Sequence, residues 1–173
     1  MEFQAEGPGT IGSVDLTLSH RGDYVVRAAV ALAGAWPDRS YRTIASVAEE
    51  MELPLSFTPQ ILGQLAKAGV AESKAGRGGG YRLARDPHRV TLLEVVEAAE
   101  GHLVAERCAL RGGPCRWDDV CAVHPAWVRA SEAVRGALAE TTLAEVVAED
   151  RGLVAGETVV ASGHRRARRP RSR

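Results

Sequence analysis

Apolar residues recur at helical spacing in three segments of the first half of the chain. The first segment starts at Arg21 and runs to a break at Trp36-Pro37. The second ends before Leu53-Pro54, and the third continues to Gly69. The apolar positions are Tyr24, Val25, Ala28 and Leu32, then Ile44, Val47, Ala48 and Met51, and then Phe57, Ile61, Leu62 and Leu65. This spacing predicts three helices, of which the last two are short and meet across a tight turn.

The third predicted helix contains a proline near its start. Pro59 lies in the first helical turn, where the missing N–H of proline costs no hydrogen bond. We expect the hydroxyl of Ser56 or Thr58 to cap this helix. In the same interpretation, Phe57 and Ile61 point into the core.

The pattern changes from helical to strand-like after Gly69. Two short runs, residues 70–73 and 81–83, flank a glycine-rich tip that carries Arg77. Such a pair of runs predicts a two-stranded hairpin, which we name the wing.

Capping signals mark the remaining helices. Thr91 and Glu94 have the spacing of a capping box, and they open a fourth helix. A long helix is predicted from Pro125 to Glu140, and a second capping box at residues 142–145 opens a final short helix. The fold class is therefore mainly α: a winged helix-turn-helix with a small two-stranded wing, followed by a long C-terminal helix.

The predicted elements divide the chain into four parts. Residues 1–15 lack periodicity and are expected to be disordered, and residues 16–90 form the winged helix-turn-helix domain. Residues 91–150 contain a cysteine segment and the C-terminal helices, and residues 151–173 form a disordered, arginine-rich tail.

Composition and charge limit the class of protein. The chain has 173 residues, 45% of them hydrophobic, and no apolar run approaches the roughly 18 residues that span a bilayer. We expect a cytoplasmic protein with no membrane segment. There are 22 basic and 22 acidic residues, and six of the basic ones lie in the last ten positions, which contain no acid. The body of the chain is therefore acidic and the tail basic.

The predicted domain presents polar and basic residues where a winged helix-turn-helix contacts DNA. The second helix of the motif enters the major groove, and the wing lies beside it. The candidates on the helix are Ser56, Thr58 and Gln60, and those on the wing are Lys74, Arg77 and Arg82. A basic patch of this kind on an acidic body is typical of phosphate contact, so we predict that double-stranded DNA is the partner.

All three cysteines lie in one short segment. Cys108, Cys115 and Cys121 are followed by His124, and three thiolates with one imidazole suit zinc or an iron-sulfur cluster. The spacing is looser than paired C-x2-C knuckles, so inert cysteines, a thiol switch or structural zinc remain alternatives. A thiol enzyme that uses Cys121 with His124 as its base is disfavoured, because the chain supplies no evident orienting acid or oxyanion motif.

Several of these features together resemble a known family. They are Leu18-Ser-His-Arg-Gly-Asp-Tyr24 at the opening, Gly78-Gly-Gly-Tyr81 in the wing, the three cysteines, and Thr142-Leu143 near the end. From about Leu16 to Val147 the sequence resembles the IscR/NsrR family of dimeric winged-helix regulators that carry an iron-sulfur cluster. Members of that family begin just before the position of Leu18, so we expect translation to start at Val14.

The resemblance implies a ligand set for the cluster. The three cysteines fall where the family has its cluster ligands, although the first gap between them is one residue longer here. His124 falls where iron-responsive members have a histidine ligand to a 2Fe-2S cluster. Asp23 falls where nitric-oxide-sensing members have an aspartate ligand to a 4Fe-4S cluster. We favour His124 and the 2Fe-2S cluster.

The resemblance also implies a homodimer that represses transcription. The long helix would pack against its twin through Trp127, Val134 and Leu138. Such a dimer reads a pseudo-palindromic operator. In the wing, relatives have an arginine at the position of Ala75, so we expect Arg77 to make the minor-groove contact in this chain.

Overall fold

The computed structural model describes residues 17–103 and 121–155 of the chain. Their elements are α1 (His20–Gly34), α2 (Ile44–Glu50), α3 (Thr58–Lys67), β1 (Ala71–Lys74), β2 (Gly80–Leu83), α4 (Leu92–Glu100), α5 (His124–Glu140) and α6 (Leu143–Ala155). This order confirms the predicted mainly helical fold with a two-stranded wing. Residues 1–15, Cys108, Cys115 and the arginines of the tail lie outside the described residues.

Helix α1 lies at the centre of the fold and packs against α3, α4 and α6. Its residues Val25, Ala28 and Leu32 are almost completely buried, as the helical spacing predicted. The helix begins where the Ser19 hydroxyl accepts a hydrogen bond from the backbone N–H of Gly22. The inner face of α1 is thus the surface against which α3 packs.

Helices α2 and α3 form the predicted helix-turn-helix, but the start of α3 differs from the prediction. The carbonyl of Pro54 accepts from the backbone N–H groups of Phe57 and Thr58 and from the Thr58 hydroxyl at 3.0 Å. This turn places Thr58 in the core and leaves Phe57 54% exposed. The predicted hydroxyl cap is also wrong, because neither Ser56 nor Thr58 caps α3. Ile61 is buried, as predicted.

The wing is joined to the rest of the domain by a third backbone segment. Strands β1 and β2 pair antiparallel, with Ala71 opposite Leu83 at the buried end. Arg42, which precedes α2, exchanges two backbone hydrogen bonds with Tyr81, at 2.7 and 2.8 Å. The base of the wing is therefore fixed to the connection between α1 and α2.

Helices α4 and α6, in the C-terminal half of the chain, both pack against α1. The capping box of Thr91 and Glu94 opens α4 as predicted, and Thr142 with Glu145 caps α6 in the same way. Helix α6 extends to Ala155, beyond the predicted start of the disordered tail at residue 151. Its Arg151 side chain donates to the carbonyl of Gly34 at 3.0 Å, which holds this last turn against α1.

Helix α5 is the most exposed helix of the described part. None of its residues is buried, and it packs mainly against α4. Trp127 is 42% exposed and Val134 is 41% exposed. Within the described ranges, no helix has the length and apolar character needed to cross a membrane.

Candidate DNA-binding surface and cysteine segment

The start of α3 presents an exposed surface of mixed polar and apolar side chains. Ser56 and Gln60 are exposed there, as predicted. Thr58 is not, because its side chain is completely buried and its hydroxyl is bonded to Pro54. The prediction that Thr58 contacts DNA is therefore wrong.

Two apolar residues on this surface were missed by the sequence reasoning. Leu55 and Phe57 are 61% and 54% exposed. Apolar side chains in the major groove contact the methyl group of thymine, so Leu55 and Phe57 are further candidates for contact with DNA. The sequence pattern did not predict this exposure, because an apolar residue in or beside a predicted helix is normally assigned to the core.

A groove of about 470 Å³ opens beside this surface, between the starts of α1 and α3. Tyr24 and Phe57 line it, together with the side-chain amides of Gln60 and Gln64. Within the described ranges the Oε1 atom of Gln64 is buried without a hydrogen-bond partner. The side of α3 that carries Gln60 and Gln64 thus faces a groove, whereas Leu62 and Leu65 face the core.

Two basic side chains lie at or near the tip of the wing. Lys74 and Arg77 are both exposed, and neither forms an ion pair with another residue of the described part. Gly76 and Gly78 have positive φ angles of 90° and 75°, which let the chain turn sharply on both sides of Arg77. The tip thus projects a cation away from the body of the domain.

Arg82, the third predicted wing contact, is engaged within the protein instead. Its Nε lies 2.5 Å from Oε1 of Glu72, and its guanidinium lies 4.5 Å from the centre of the Tyr41 ring. The bonds from Arg82 and from the Tyr41 hydroxyl lower the pKa of Glu72. Burial, together with the bond to this carboxylate, raises the pKa of Tyr41.

The end of the cysteine segment lies at the start of α5. Cys121 is half-buried and has no disulfide partner among the described residues, and the backbone N–H of His124 donates to the Cys121 carbonyl at 3.2 Å. Both residues therefore lie within one turn of the N-terminus of α5. Cys108 and Cys115, the other predicted ligands, lie outside the described residues.

Asp23, the alternative fourth ligand, lies elsewhere in the chain. It is in the first turn of α1, and its carboxylate pairs with Arg27 at 3.0 Å. Among the described residues, no three His, Cys, Asp or Glu side chains are grouped as a metal site. A single chain thus does not bring Asp23, Cys121 and His124 together.

Two glutamates at the end of α4 bind groups on other elements. Glu97 accepts from the backbone N–H of Leu103 at 3.1 Å and forms an ion pair with Arg135 of α5. Burial opposes ionisation of Glu97, but these donors outweigh it and lower its pKa. Glu100 accepts from the Ser19 hydroxyl at the start of α1. The end of α4 is therefore linked to both α1 and α5.

Comparisons with known proteins identify the family of this chain. The Rrf2 family, described as "Iron-dependent Transcriptional regulator", matches residues 18–149. The HTH-type transcriptional regulator IscR of Klebsiella pneumoniae (strain 342) is 33% identical over 137 residues, which cover 76% of this chain and 80% of that protein. An Escherichia coli O1:K1 / APEC relative of the same name is 34% identical over 137 residues, with the same coverage.

Solved structures show the same fold. T. potens IscR matches with a TM-score of 0.64 and 25% identity, covering 80% of this chain and 91% of that one. Staphylococcus aureus CymR matches with a TM-score of 0.57 and 26% identity, covering 75% and 96%. The curated relatives are named as transcriptional regulators, which agrees with the expectation that the chain is not an enzyme. The chain therefore belongs to the Rrf2 family of winged-helix transcriptional regulators.

Proposed function

We propose that this regulator is a cytoplasmic, homodimeric repressor whose affinity for DNA is set by an iron-sulfur cluster in the cysteine segment. The observation that carries the proposal is the position of Cys121 and His124. His124 is the first residue of α5 and Cys121 lies three residues before it, and α5 is the helix whose exposed apolar stripe would join two chains. The last two predicted ligands thus lie at the start of the helix that carries the predicted dimer contact.

The DNA contacts would come from two elements. Ser56 and Gln60 at the start of α3 would face base edges or phosphates in the major groove, joined by the apolar contacts of Leu55 and Phe57. Lys74 and Arg77 of the wing would face the phosphates and the minor groove beside it. The exposure of these side chains and their freedom from ion pairs support this assignment.

The dimer would form through α5. Trp127, Val134 and Leu138 lie within about 40° of one another around the helix axis, at roughly 100° per residue. Arg135 and Glu97 hold a neighbouring face against α4, so the stripe stays open to a second chain. Two α3 helices about one turn of DNA apart, roughly 34 Å, would read a pseudo-palindromic operator.

The donor set fits an iron-sulfur cluster. Cys108, Cys115, Cys121 and His124 would hold a 2Fe-2S cluster, with three cysteine ligands and one histidine ligand to iron. Asp23 fits less well, because its carboxylate is already paired with Arg27. A bound cluster supplies a centre that responds to redox state, iron supply or nitric oxide. A 4Fe-4S cluster with Asp23 as ligand stays the alternative.

The chain itself supplies a route from the cysteine segment to α3. Glu97 binds both Leu103, which precedes the cysteine segment in the sequence, and Arg135 of α5, and Glu100 ties the end of α4 to Ser19 of α1. Helix α1 packs directly on α3. A segment that is ordered differently in two states would therefore alter both the dimer contact and the seat of the recognition helix. A difference of about 1–3 kcal/mol in DNA binding suffices for regulation.

The first experiment is a metal analysis of protein purified without oxygen. We expect visible charge-transfer absorption and near-equal amounts of iron and sulfide. Two irons per chain favour His124, whereas four favour Asp23. The variants His124→Ala and Asp23→Asn separate the two ligand sets, with the exposed His88→Ala as the matched control. The ligand variant should change the spectrum, and the control should not.

DNA binding is measured on the same samples. Duplexes enriched from a random pool by the purified protein serve as the probe, and affinity is compared before and after removal of the cluster. A colourless protein that stays colourless after reconstitution, or an affinity that does not depend on the cluster, would contradict the proposal.

A second candidate function keeps DNA binding but omits the cluster. Cys121 is half-buried and has no disulfide partner among the described residues, and two further cysteines precede it in the sequence, so the three thiols could act as a thiol switch. A solved structure titled "Crystal structure of Staphylococcus aureus CymR oxidized form" covers 76% of this chain with a TM-score of 0.57 and shares its fold. A colourless protein whose DNA affinity changes on oxidation would support this candidate, and zinc in place of iron would indicate a structural site of three cysteines and His124.

A further inference from the structure

Arg82 occupies a position that differs from that of the other basic residues of the wing. It lies on β2 directly opposite Glu72 of β1, and the Nε of Arg82 is 2.5 Å from Oε1 of that carboxylate. Another guanidinium nitrogen donates to the backbone carbonyl of Arg39 at 3.2 Å. The plane of the side chain is thereby fixed from two directions.

Tyr41 completes the arrangement. Its hydroxyl donates to the same Glu72 oxygen at 3.0 Å, and the Arg82 guanidinium lies over its ring, 4.5 Å from the ring centre. Lys74 lies over the same ring at 5.6 Å. We name the group of Arg82, Glu72 and Tyr41 the wing clamp, because it joins both strands of the wing to the connection between α1 and α2.

We propose that Arg82 is a positioning residue, which holds the wing in its DNA-binding orientation through the wing clamp, and that Arg77 at the tip makes the phosphate or minor-groove contact. This inference rests on the use of the wing in DNA binding. It changes the predicted role of Arg82 from DNA contact to positioning of the wing, and it assigns Glu72 and Tyr41 to the same positioning role.

Charge supports the division of labour between the two arginines. The Glu72 carboxylate neutralises Arg82, and an acid beside the guanidinium would repel a DNA phosphate. Arg77 has no ion pair with any residue of the described ranges and lies on the exposed tip. A cation that is free and exposed gains more from a phosphate than one that must first leave a carboxylate.

Mechanics supports it as well. The tip contains glycines at positive φ on both sides of Arg77, so the tip itself supplies little rigidity. The direction of the wing must then be set at its base, where the clamp lies beside the backbone pair of Arg42 and Tyr81. A base that is ordered before binding lowers the entropy cost of placing the tip on DNA.

The decisive variant is Glu72→Gln. If Arg82 contacts DNA, removal of the neighbouring acid frees the cation and strengthens binding. If Arg82 positions the wing, the same change loosens the clamp and weakens binding. Affinity is measured by fluorescence anisotropy, on a duplex enriched from a random pool by the wild-type protein, at several salt concentrations.

We expect Glu72→Gln and Arg82→Gln each to weaken binding about 3- to 10-fold, and the double variant to be no weaker than Arg82→Gln alone, because both belong to one unit. The slope of log affinity against log salt should stay nearly unchanged in these variants. In Arg77→Gln the slope should fall by about 1, as expected for the loss of one phosphate contact. Arg82→Lys should not restore binding, because an ammonium lacks the planar fork.

Hydrogen exchange without DNA provides an independent measurement. The backbone amides of Arg42 and Tyr81 should exchange about tenfold faster in Glu72→Gln and Arg82→Gln than in wild type, and at the wild-type rate in Arg77→Gln. Stronger binding by Glu72→Gln, a salt slope that falls by about 1 in Arg82→Gln, or unchanged exchange would each overturn the proposal. If the wild-type protein selects no duplex, the DNA-binding function fails, while the exchange experiment still tests the clamp.

Discussion

The hydroxyl of Ser19 donates a 2.6 Å hydrogen bond to the carboxylate of Glu100, which joins the first turn of α1 to the last turn of α4. The backbone N–H of Ser19 donates to the same oxygen at 3.0 Å. The Ser19 hydroxyl also caps α1 by accepting from Gly22. Glu100 is the last residue of α4, so this contact ties the start of α1 to the helix that precedes the cysteine segment in the sequence.

Gly22 is needed for this contact, because a Cβ there would overlap the Glu100 carboxylate and lie 3.0 Å from the Cβ of Leu18. We expect Gly22→Ala to lower the free energy of unfolding by about 1 kcal/mol, because the loss of the Ser19 hydrogen bonds to the charged Glu100 carboxylate, about 1.5–3 kcal/mol, exceeds the gain from alanine. Alanine in a helix normally stabilises by about 1 kcal/mol relative to glycine, so the expected sign is the opposite of the default. Thermal or urea unfolding measures it.

The matched control for this change is Gly63→Ala in α3, where a Cβ would meet nothing within 4 Å. This control should raise stability by up to about 1 kcal/mol. If both alanine variants were stabilised equally, the Ser19–Glu100 contact would have no role in holding α1.

Thr58 and Gln60 should separate stability from DNA binding. Thr58→Val removes the buried hydroxyl bonded to Pro54, so we expect a loss of about 1 kcal/mol in stability and an unchanged affinity for DNA. Gln60→Ala should leave stability nearly unchanged and weaken DNA binding, because Gln60 is exposed. The two properties are measured by urea unfolding and fluorescence anisotropy. Weaker DNA binding by a fully folded Thr58→Val protein would restore the original assignment.

The apolar stripe of α5 should decide the oligomeric state. Val134 is 41% exposed in the single chain, so Val134→Glu would bury a charge in the proposed dimer and leave the monomer fold intact. Ala133→Glu is the control, because Ala133 is exposed and lies about 100° away around the helix. Sedimentation should give a dimer for wild type and control and a monomer for Val134→Glu. A wild-type monomer at micromolar concentration would refute the proposed dimer.

Glu97 should make stability depend on pH in the acid range. Its pKa in the folded protein lies below the ordinary value of 4.5, so the folded state takes up the proton less readily than the unfolded chain. The stability that Glu97 contributes is therefore fully present above about pH 4.5 and is lost as the pH falls through the folded pKa. Unfolding curves between pH 7 and pH 3 measure it.

Glu97→Gln should cost about 1 kcal/mol at pH 7, and the difference from wild type should shrink at low pH. Glu132→Gln is the control, because Glu132 is exposed on α5 and forms no ion pair with the described residues. A difference that stays constant from pH 7 to pH 3 would show that the Glu97 carboxylate does not carry this contribution.

Local signals in the sequence were sufficient for the elements. Helical spacing placed α1 to α3, and the Thr91–Glu94 capping box and the glycine-flanked tip marked the start of α4 and the wing. These features depend on residues within a few positions of one another, so a single sequence contains the necessary information. The match to the Rrf2 family follows from the same local features in the same order.

Side-chain roles at the site were harder to predict. Phe57 was predicted to lie in the core and Thr58 on the surface, and the structure shows the reverse. The hydrogen bonds to the Pro54 carbonyl set the direction of the chain before α3 begins. Arg82 was predicted to be free because nothing near it in the sequence shows that Glu72, Arg39 and Tyr41 converge on it. Such contacts form between residues up to 43 positions apart and depend on how the strands and loops are placed.

The sequence by itself thus determined the type and order of the elements, the membership of the Rrf2 family, and the set of thiols and imidazole available for a cluster. Only the tertiary structure decided which basic side chains of the wing form ion pairs, which residue at the start of α3 faces the solvent, and how Glu97 and Glu100 tie the end of α4 to α5 and α1. The reason is physical: periodicity and capping act within one or two helical turns, whereas the pairing of charges and the exposure of a side chain are set by elements that meet only after the chain has folded.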